Sequence, residues 1–237
     1  MKVILSTVAA LFLLAACNKN ETENKGLDLT VKVDGLKQGK LYIQKINDTS
    51  LITLDSIDIK GNSEFTSQIE LSEPEMLYLS LDRGTTTSID NLLPFFAEPG
   101  KMTIETSLKE FFFKAKVTGS ENHDLYEKYN KTKAVYTNNI NKNLSLSILA
   151  QKKGQTQKID SLDKDSERVT VRRYLNAVNF AVNNGKHEVA PYIALTEIYD
   201  VNVKYLDTIQ KSMSPEVAKS KYGKQLTTFI EERRKTE

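Results

Sequence analysis

The sequence predicts an α+β fold: an antiparallel β-sandwich or barrel of about eight strands, followed by a helical segment of about four to five helices. Three observations carry this. From Gly26 to about Gly119 the apolar residues alternate with period 2, and from Ser120 onward they recur at steps of three and four. Turn residues interrupt the first part roughly every 10 residues, a spacing that suits short strands in a sandwich or barrel. The strands all precede the helices, which is the α+β order rather than the alternating one.

The strand candidates follow in order. "LDLTVKV" (27–33) alternates Leu27, Leu29, Val31 and Val33, and "KLYIQKI" (40–46) follows Gly35 and Gly39. "LITLDSIDI" (51–59) alternates in its second half, and "SEFTSQIEL" (63–71) offers Phe65, Ile69 and Leu71. "EMLYLSL" (75–81) alternates at Leu77, Leu79 and Leu81. "LLPFFAE" (92–98), "KMTIETS" (101–107) and "FFKAKVTG" (112–119) complete the set. Pro94 removes a ladder donor, which places its strand at a sheet edge or a bulge.

After Gly119 the pattern changes. Ser120 reads as an N-cap, and Leu125, Tyr129, Thr132, Tyr136, Ile140, Leu144 and Ile148 form one helical face that ends near Gly154. A second helix is expected over 155–183, stopping at Asn184-Gly185, a third over 188–199 and a short fourth over 201–211. Ser214-Pro215 opens a fifth that runs to about Arg233, with Gly223 a weak point in it.

The beginning of the chain has a different character. Lys2, then an apolar run of about a dozen residues from Val3 to Leu14, then Ala15 and Ala16 have the layout of an export signal, and the run is short of the roughly 20 residues a spanning helix needs. Leu14-Ala15-Ala16-Cys17 resembles the bacterial lipobox. That resemblance implies cleavage before Cys17 and diacylglyceryl attachment to its sulfur, so that the membrane itself is a partner through a lipid anchor at Cys17. "NKNETENKG" (18–26) holds no apolar residue and reads as a flexible tether. Asn18, rather than Asp, follows Cys17. The expected location is therefore the cell envelope, at the outer membrane, on either its periplasmic face or the cell surface. The expected organisation is a signal peptide at 1–16, a lipidated tether at 17–26, a β-sandwich at 27–119 and a helical domain at 120–237.

Several functional classes are excluded by counting. Cys17 is the only cysteine, so the chain offers no CxxC pair, no disulfide framework and no Cys-based zinc site. A net charge of +2 gives no electrostatic footprint for nucleic acid. The charge is uneven, however: 12 Lys and Arg stand against 16 Asp and Glu over 17–118, and 20 against 15 over 119–237. The preferred reading is docking of the two halves on each other or mere compositional drift, with an external interaction face as the alternative.

Candidate sites are sparse. In "FAEPGKMTIE" (96–105), Pro99-Gly100 suits a type II turn, and Glu98 either caps its amides or accepts a hydrogen bond from a ligand. "LDRGTTTSIDN" (81–91) is a polar loop carrying Asp82, Arg83 and Asp90; with Glu98 these form the candidate ligand or partner loop, against the plainer reading of a solvated connection. The two histidines, His123 and His187, lie far apart with no metal-ligand spacing, and His123-Asp124 reads as a solvated first helical turn, so no metal and no cofactor is expected. Asp55-Ser56 reads as a strand-end hydrogen-bonding device. Arg168 and Arg172 in "RVTVRR" lie one turn apart on a solvated face, and the tyrosines of the helical part read as core and rim. No catalytic set is recognisable, and a non-enzymatic binding or assembly module is the expectation.

Asp55-Ser56, Gly61 with Phe65, Glu98-Pro99-Gly100, and Gly119-Ser120 with Asn122 fall in the order and spacing of the DUF4369 domain of Bacteroidetes-type lipoproteins, which this sequence resembles. "HEVAPYIAL" (187–195) and "SPEVAKSKYGKQL" (214–226) are similar to the helical continuation in such proteins. In that family the segment commonly precedes a thioredoxin-like thiol-disulfide oxidoreductase domain carrying CxxC, which this sequence lacks. The resemblance therefore implies no redox activity here. It implies, as an alternative function, an accessory module of a separate thioredoxin-like oxidoreductase.

Overall fold

The computed structural model describes residues 26–47, 50–82, 84 and 89–236. Two four-stranded sheets face each other. Sheet one has the order β4-β1-β7-β8 and comprises β1 (Gly26–Asp34), β4 (Glu64–Glu70), β7 (Gly100–Ser107) and β8 (Lys116–Thr118). Sheet two has the order β3-β2-β5-β6 and comprises β2 (Gln38–Asn47), β3 (Ser50–Lys60), β5 (Glu75–Asp82) and β6 (Leu92–Ala97). Their inner faces close over Leu29, Val31, Leu41, Ile43, Leu77, Leu79, Phe95 and Ile104, all nearly inaccessible to solvent. Each such side chain contributes roughly 1.5–3 kcal/mol on burial. Pro94 does lie on an edge strand: β6 pairs only with β5.

The sandwich departs from the sequence reading in three places. β1 and β7 run parallel, from Leu27 opposite Gly100 to Asp34 opposite Ser107, while every other pair is antiparallel. An alternating strand buries the same face in either direction, so periodicity carries no sign of this. β8 is only three residues long. Phe111–Lys114 form a turn instead, with Phe111 buried beneath the core and its carbonyl accepting from Thr106 Oγ1 (2.8 Å). The pairing of β2 with β3 slips between Ile43 and Gln44, and Asp55 sits at that irregularity in mid-strand rather than at a strand end. Its Oδ1 accepts from the Ser56 amide (2.7 Å) and its Oδ2 accepts from the hydroxyl of Ser67 on β4, tying the two sheets at their edge.

The helical part forms a third layer on the outer face of sheet two. It comprises α1 (Glu121–Gln151), α2 (Thr156–Asn183), α3 (Val189–Glu197), α4 (Val203–Ser212), α5 (Pro215–Lys219) and α6 (Lys221–Thr236). Met76 and Phe96, which point away from the sandwich interior, join the core of this layer with Tyr129, Ile193, Leu206 and Leu226. Phe96 makes edge contacts with Tyr192 and Tyr222, at 5.5 and 5.9 Å between ring centroids. The Met76 amide donates to Tyr222 Oη (2.9 Å), the Lys221 amide donates to Glu73 Oε2 (2.8 Å), and Lys221 Nζ pairs with Glu75. Acidic residues of the strand half thus meet a basic residue of the helical half at this junction.

The expected fifth helix is two helices, α5 and α6, broken at Ser220, whose backbone is extended. Gly223 is a requirement of close approach rather than a weak point: a Cβ there would lie 2.0 Å from the Val217 carbonyl oxygen. The inward face of α1 also differs from the expected one. Among the buried or half-buried residues of α1, a row at 122, 126, 129, 133, 136, 140, 143, 147 and 150 steps by four and three, flanked by 123, 125, 127, 130, 137 and 146. This 3.5-residue period is that of a coiled-coil seam against α2. Leu144 and Ile148, placed inside by steps of four, are 58% and 47% exposed, and Asn143 takes the inner position and donates to Asp165 on α2 (2.9 Å).

Candidate functional site

The residues singled out in the sequence do not converge. Asp82 ends β5 opposite Lys40, while Glu98 lies just beyond Ala97, which pairs with Glu75 at the other end of β5. The separation is about 25 Å at roughly 3.3 Å per residue. Asp82 Oδ1 accepts from the Gly84 amide (2.7 Å), which closes a local turn, and Asp90 is exposed in the short 3-10 turn Ile89–Asn91. Arg83 and Cys17 lie outside the described residues. Arg168 pairs with Asp165 on the surface of α2 (3.1 Å), and His187 Nε2 lies 3.8 Å from Glu121 Oε1.

Glu98 has a structural task. Its Oε1 accepts from Ser120 Oγ (3.0 Å), the Asn122 amide (2.6 Å) and Asn122 Nδ2 (2.9 Å). A carboxylate at the first turn of α1 satisfies amides that have no intrahelical partner and complements the positive end of the helix. Asn122 extends the junction: its Nδ2 also donates to Glu188 Oε2 (3.0 Å), and its Oδ1 accepts from the Val189 amide at the start of α3 (2.8 Å). Gly119 makes the approach feasible. Its φ is +93°, and a Cβ would stand 2.2 Å from the Lys101 carbonyl oxygen. The Glu-Pro-Gly turn, the Gly-Ser step and Asn122 are therefore one clasp between sandwich and helices.

One turn along α1 the same junction opens into a pocket of about 300 Å³. Leu93 and Pro94 of β6, Ala115 and Val117 around β8, and Phe112 form its apolar wall. Tyr126, Glu127, Asn130, Lys131 and Ala134 of α1 form the facing side. His123 closes the floor, and here the expectation of a solvated turn is overturned: its side chain is 4% exposed. β6 docks beside the first turn of α1, and the Phe96 amide, unpaired on the outer side of the edge strand, donates to His123 Nδ1 (3.2 Å). Ser120 Oγ holds the backbone in place by accepting from the His123 amide (2.9 Å).

This hydrogen bond settles the ring's chemistry. Nδ1 spends its lone pair on a backbone donor, so the proton of the neutral ring resides on Nε2. Burial holds the imidazole below its ordinary pKa, against the opposing pull of Glu127 and Asp124. Nε2 has no hydrogen-bond partner among the described residues. The nearest carboxylate oxygen, Glu127 Oε1, is 3.6 Å away, beyond hydrogen-bonding distance, and Glu127 is engaged through Oε2 by Lys131 (3.2 Å) at the rim. The ring is a donor with no free basic nitrogen, which suits holding an acceptor rather than abstracting a proton. Beside the pocket, burial also raises the phenol pKa of Tyr126, Tyr78, Tyr192 and Tyr222, which remain neutral side chains.

Among the described residues, no group of three or more His, Cys, Asp or Glu side chains is placed to hold a metal, and no helix is long and apolar enough to cross a membrane.

The fold and pocket define a β-sandwich with a docked helical layer and a recess of about 300 Å³ at their junction. Residues 27–126 match DUF4369, a domain of unknown function. The match spans the whole sandwich and the first turn of α1, taking in His123 and Tyr126, and ends before Glu127, Asn130 and Lys131 on the pocket's far side. No curated protein and no solved structure matches the chain.

Proposed function

We propose that the protein is a non-enzymatic binding module of the bacterial cell envelope, anchored by lipid at Cys17 in the outer membrane and taking its ligand in the recess above His123. The observation that carries the binding reading is a mainly apolar recess of about 300 Å³ lined in part by the buried His123, whose Nε2 lacks a hydrogen-bond partner among the described residues. A buried donor left unpaired costs free energy that a bound acceptor recovers. The anchor rests on the Leu-Ala-Ala-Cys sequence at 14–17 and the polar tether after it.

Two experiments test this. Native mass spectrometry of the full chain, gently extracted from its own envelope, is expected to show a small non-protein mass that is absent from Ala134→Trp, a variant that fills the recess. An identical spectrum for both proteins contradicts the binding reading. Cys17→Ala is expected to abolish incorporation of labelled palmitate and release the protein from the membrane pellet; unchanged pelleting contradicts the anchor. The accessory-module alternative rests on the resemblance of the sandwich to the N-terminal module of thioredoxin-like oxidoreductases. Cross-linking in intact envelopes decides it, and failure to recover any thioredoxin-like protein removes it.

A further inference from the structure

We infer that the recess above His123 takes a small, uncharged, mainly apolar molecule through a carbonyl-type oxygen received by the His123 Nε2–H. The inference rests on the binding reading above and adds the ligand's chemistry.

Four features of the recess lead to it. The floor supplies one donor and no acceptor, because Nδ1 is tied to the Phe96 amide. The ligand must therefore present an acceptor there. The donor's side chain is 96% buried, its residual exposure being 4%, and Nε2 lacks a hydrogen-bond partner among the described residues. An acceptor that reaches Nε2 as the Glu127 side chain beside it gives way satisfies a donor otherwise left unpaired. The wall at Leu93, Pro94, Val117 and Phe112 offers only apolar surface to the rest of the molecule. A volume of about 300 Å³ lies at the small end of ligand sites, which fits a body of one or two rings.

Charge selects against an anion. Glu127 Oε1 stands 3.6 Å from Nε2, so a carboxylate or phosphate accepting from this nitrogen would bring two anions together in a poorly solvated space. Lys131 at the rim is engaged with Glu127 (3.2 Å). A cationic ligand meets a donor at His123 and, in Glu127, a carboxylate already engaged by Lys131 (3.2 Å). A neutral ketone, amide, ester or quinone oxygen satisfies the donor without either penalty.

The test compares three probes of similar size on the full chain in detergent: acetophenone, α-methylstyrene, in which a methylene replaces the carbonyl oxygen, and benzoate. Saturation-transfer NMR titration gives each affinity. Site-specific binding is the difference between the wild type and Ala134→Trp, which cancels partition into the micelle. Acetophenone is expected to bind about fivefold or more tightly than α-methylstyrene, the increment of one neutral hydrogen bond, and more tightly than benzoate by a similar factor. His123→Leu, which fills a similar volume and offers no donor, is expected to remove the preference for the ketone while α-methylstyrene still binds. The wild-type comparison stands even where that variant does not fold. Equal binding of the ketone and the hydrocarbon overturns the inference and leaves the recess a binding site of purely apolar kind. Tightest binding by benzoate overturns the assignment of an uncharged ligand. Absence of site-specific binding by all three overturns the inference and removes the recess as the basis of the binding reading.

Discussion

The two sheets of the sandwich share an inner-face pattern and differ on the outside. Sheet one turns Asp28, Thr30, Lys32, Lys101, Thr103 and Glu105 outward, and α1 touches it at the edge strand β8. Sheet two turns Met76, Tyr78 and Phe96 outward and carries the helical layer. In β1 every second residue is polar or charged, whereas in β5 and β6 apolar residues fall on both sides of the strand. A face with two or three large apolar side chains must be covered, and a face of Asp, Thr and Lys must not be. The site arises on the covered face, because covering an edge strand with a helix leaves an unpaired amide, and the imidazole that satisfies it is buried with its other nitrogen toward a gap.

The largest effect should come from breaking the covered face. Phe96→Ala removes a fully buried ring that touches Tyr192 and Tyr222, and is expected to cost about 3–5 kcal/mol in urea unfolding. Lys101→Ala on the bare face of sheet one is expected to stay within about 0.5 kcal/mol. Similar losses for the two would erase the distinction between the sheets. Next, Asn122→Ala severs the side-chain links to Glu98, Glu188 and the Val189 amide at once. A loss of about 2–3 kcal/mol is expected, with faster hydrogen exchange at Val189.

Much of this architecture was legible from periodicity. The eight strand positions, the change to helices at Ser120, the N-cap there and the edge position of Pro94 each follow from residues whose local chemistry decides the matter. Other features depend on partners distant in sequence. The parallel pairing of β1 with β7 leaves no trace in alternation. The α1 seam differs from the expected face because its inner positions include Asn143, Ser147 and Ala150, which are not strongly apolar, while Leu144 and Ile148 lie outside. His123 looked solvated beside Asp124 because burial there depends on β6 docking against the turn. The spacing of Ser120 and His123 was the available signal: a histidine at the third helical position stands where a capping glutamate often turns back toward the helix start. Glu98 carried both readings in the sequence, and its hydrogen bonds to Ser120 and Asn122 place it in the clasp.

Two smaller effects sharpen the contrast between buried and exposed positions. Because burial holds the His123 imidazole below its ordinary pKa, the folded protein binds fewer protons than the unfolded chain near pH 6. Its contribution to stability is present above the unfolded value of about 6.5 and declines as the pH falls below it. His123→Gln is expected to remove that part of the pH dependence, read from unfolding free energies between pH 7.5 and roughly 5. A variant with the full wild-type slope would show that other groups carry it. Smallest of all, Leu144→Ala is expected to change stability by no more than about 0.5 kcal/mol, and Ile140→Ala on the seam by more. The reverse order would restore the face expected from steps of four.

The central claim is that His123 presents a neutral Nε2–H donor to the recess. The most direct measurement is the pair of imidazole 15N chemical shifts of His123 in the full chain at pH 7, which report the tautomer and the charge. The account predicts a neutral ring protonated on Nε2 with Nδ1 as the accepting nitrogen. A ring protonated on Nδ1, or an imidazolium, would contradict it.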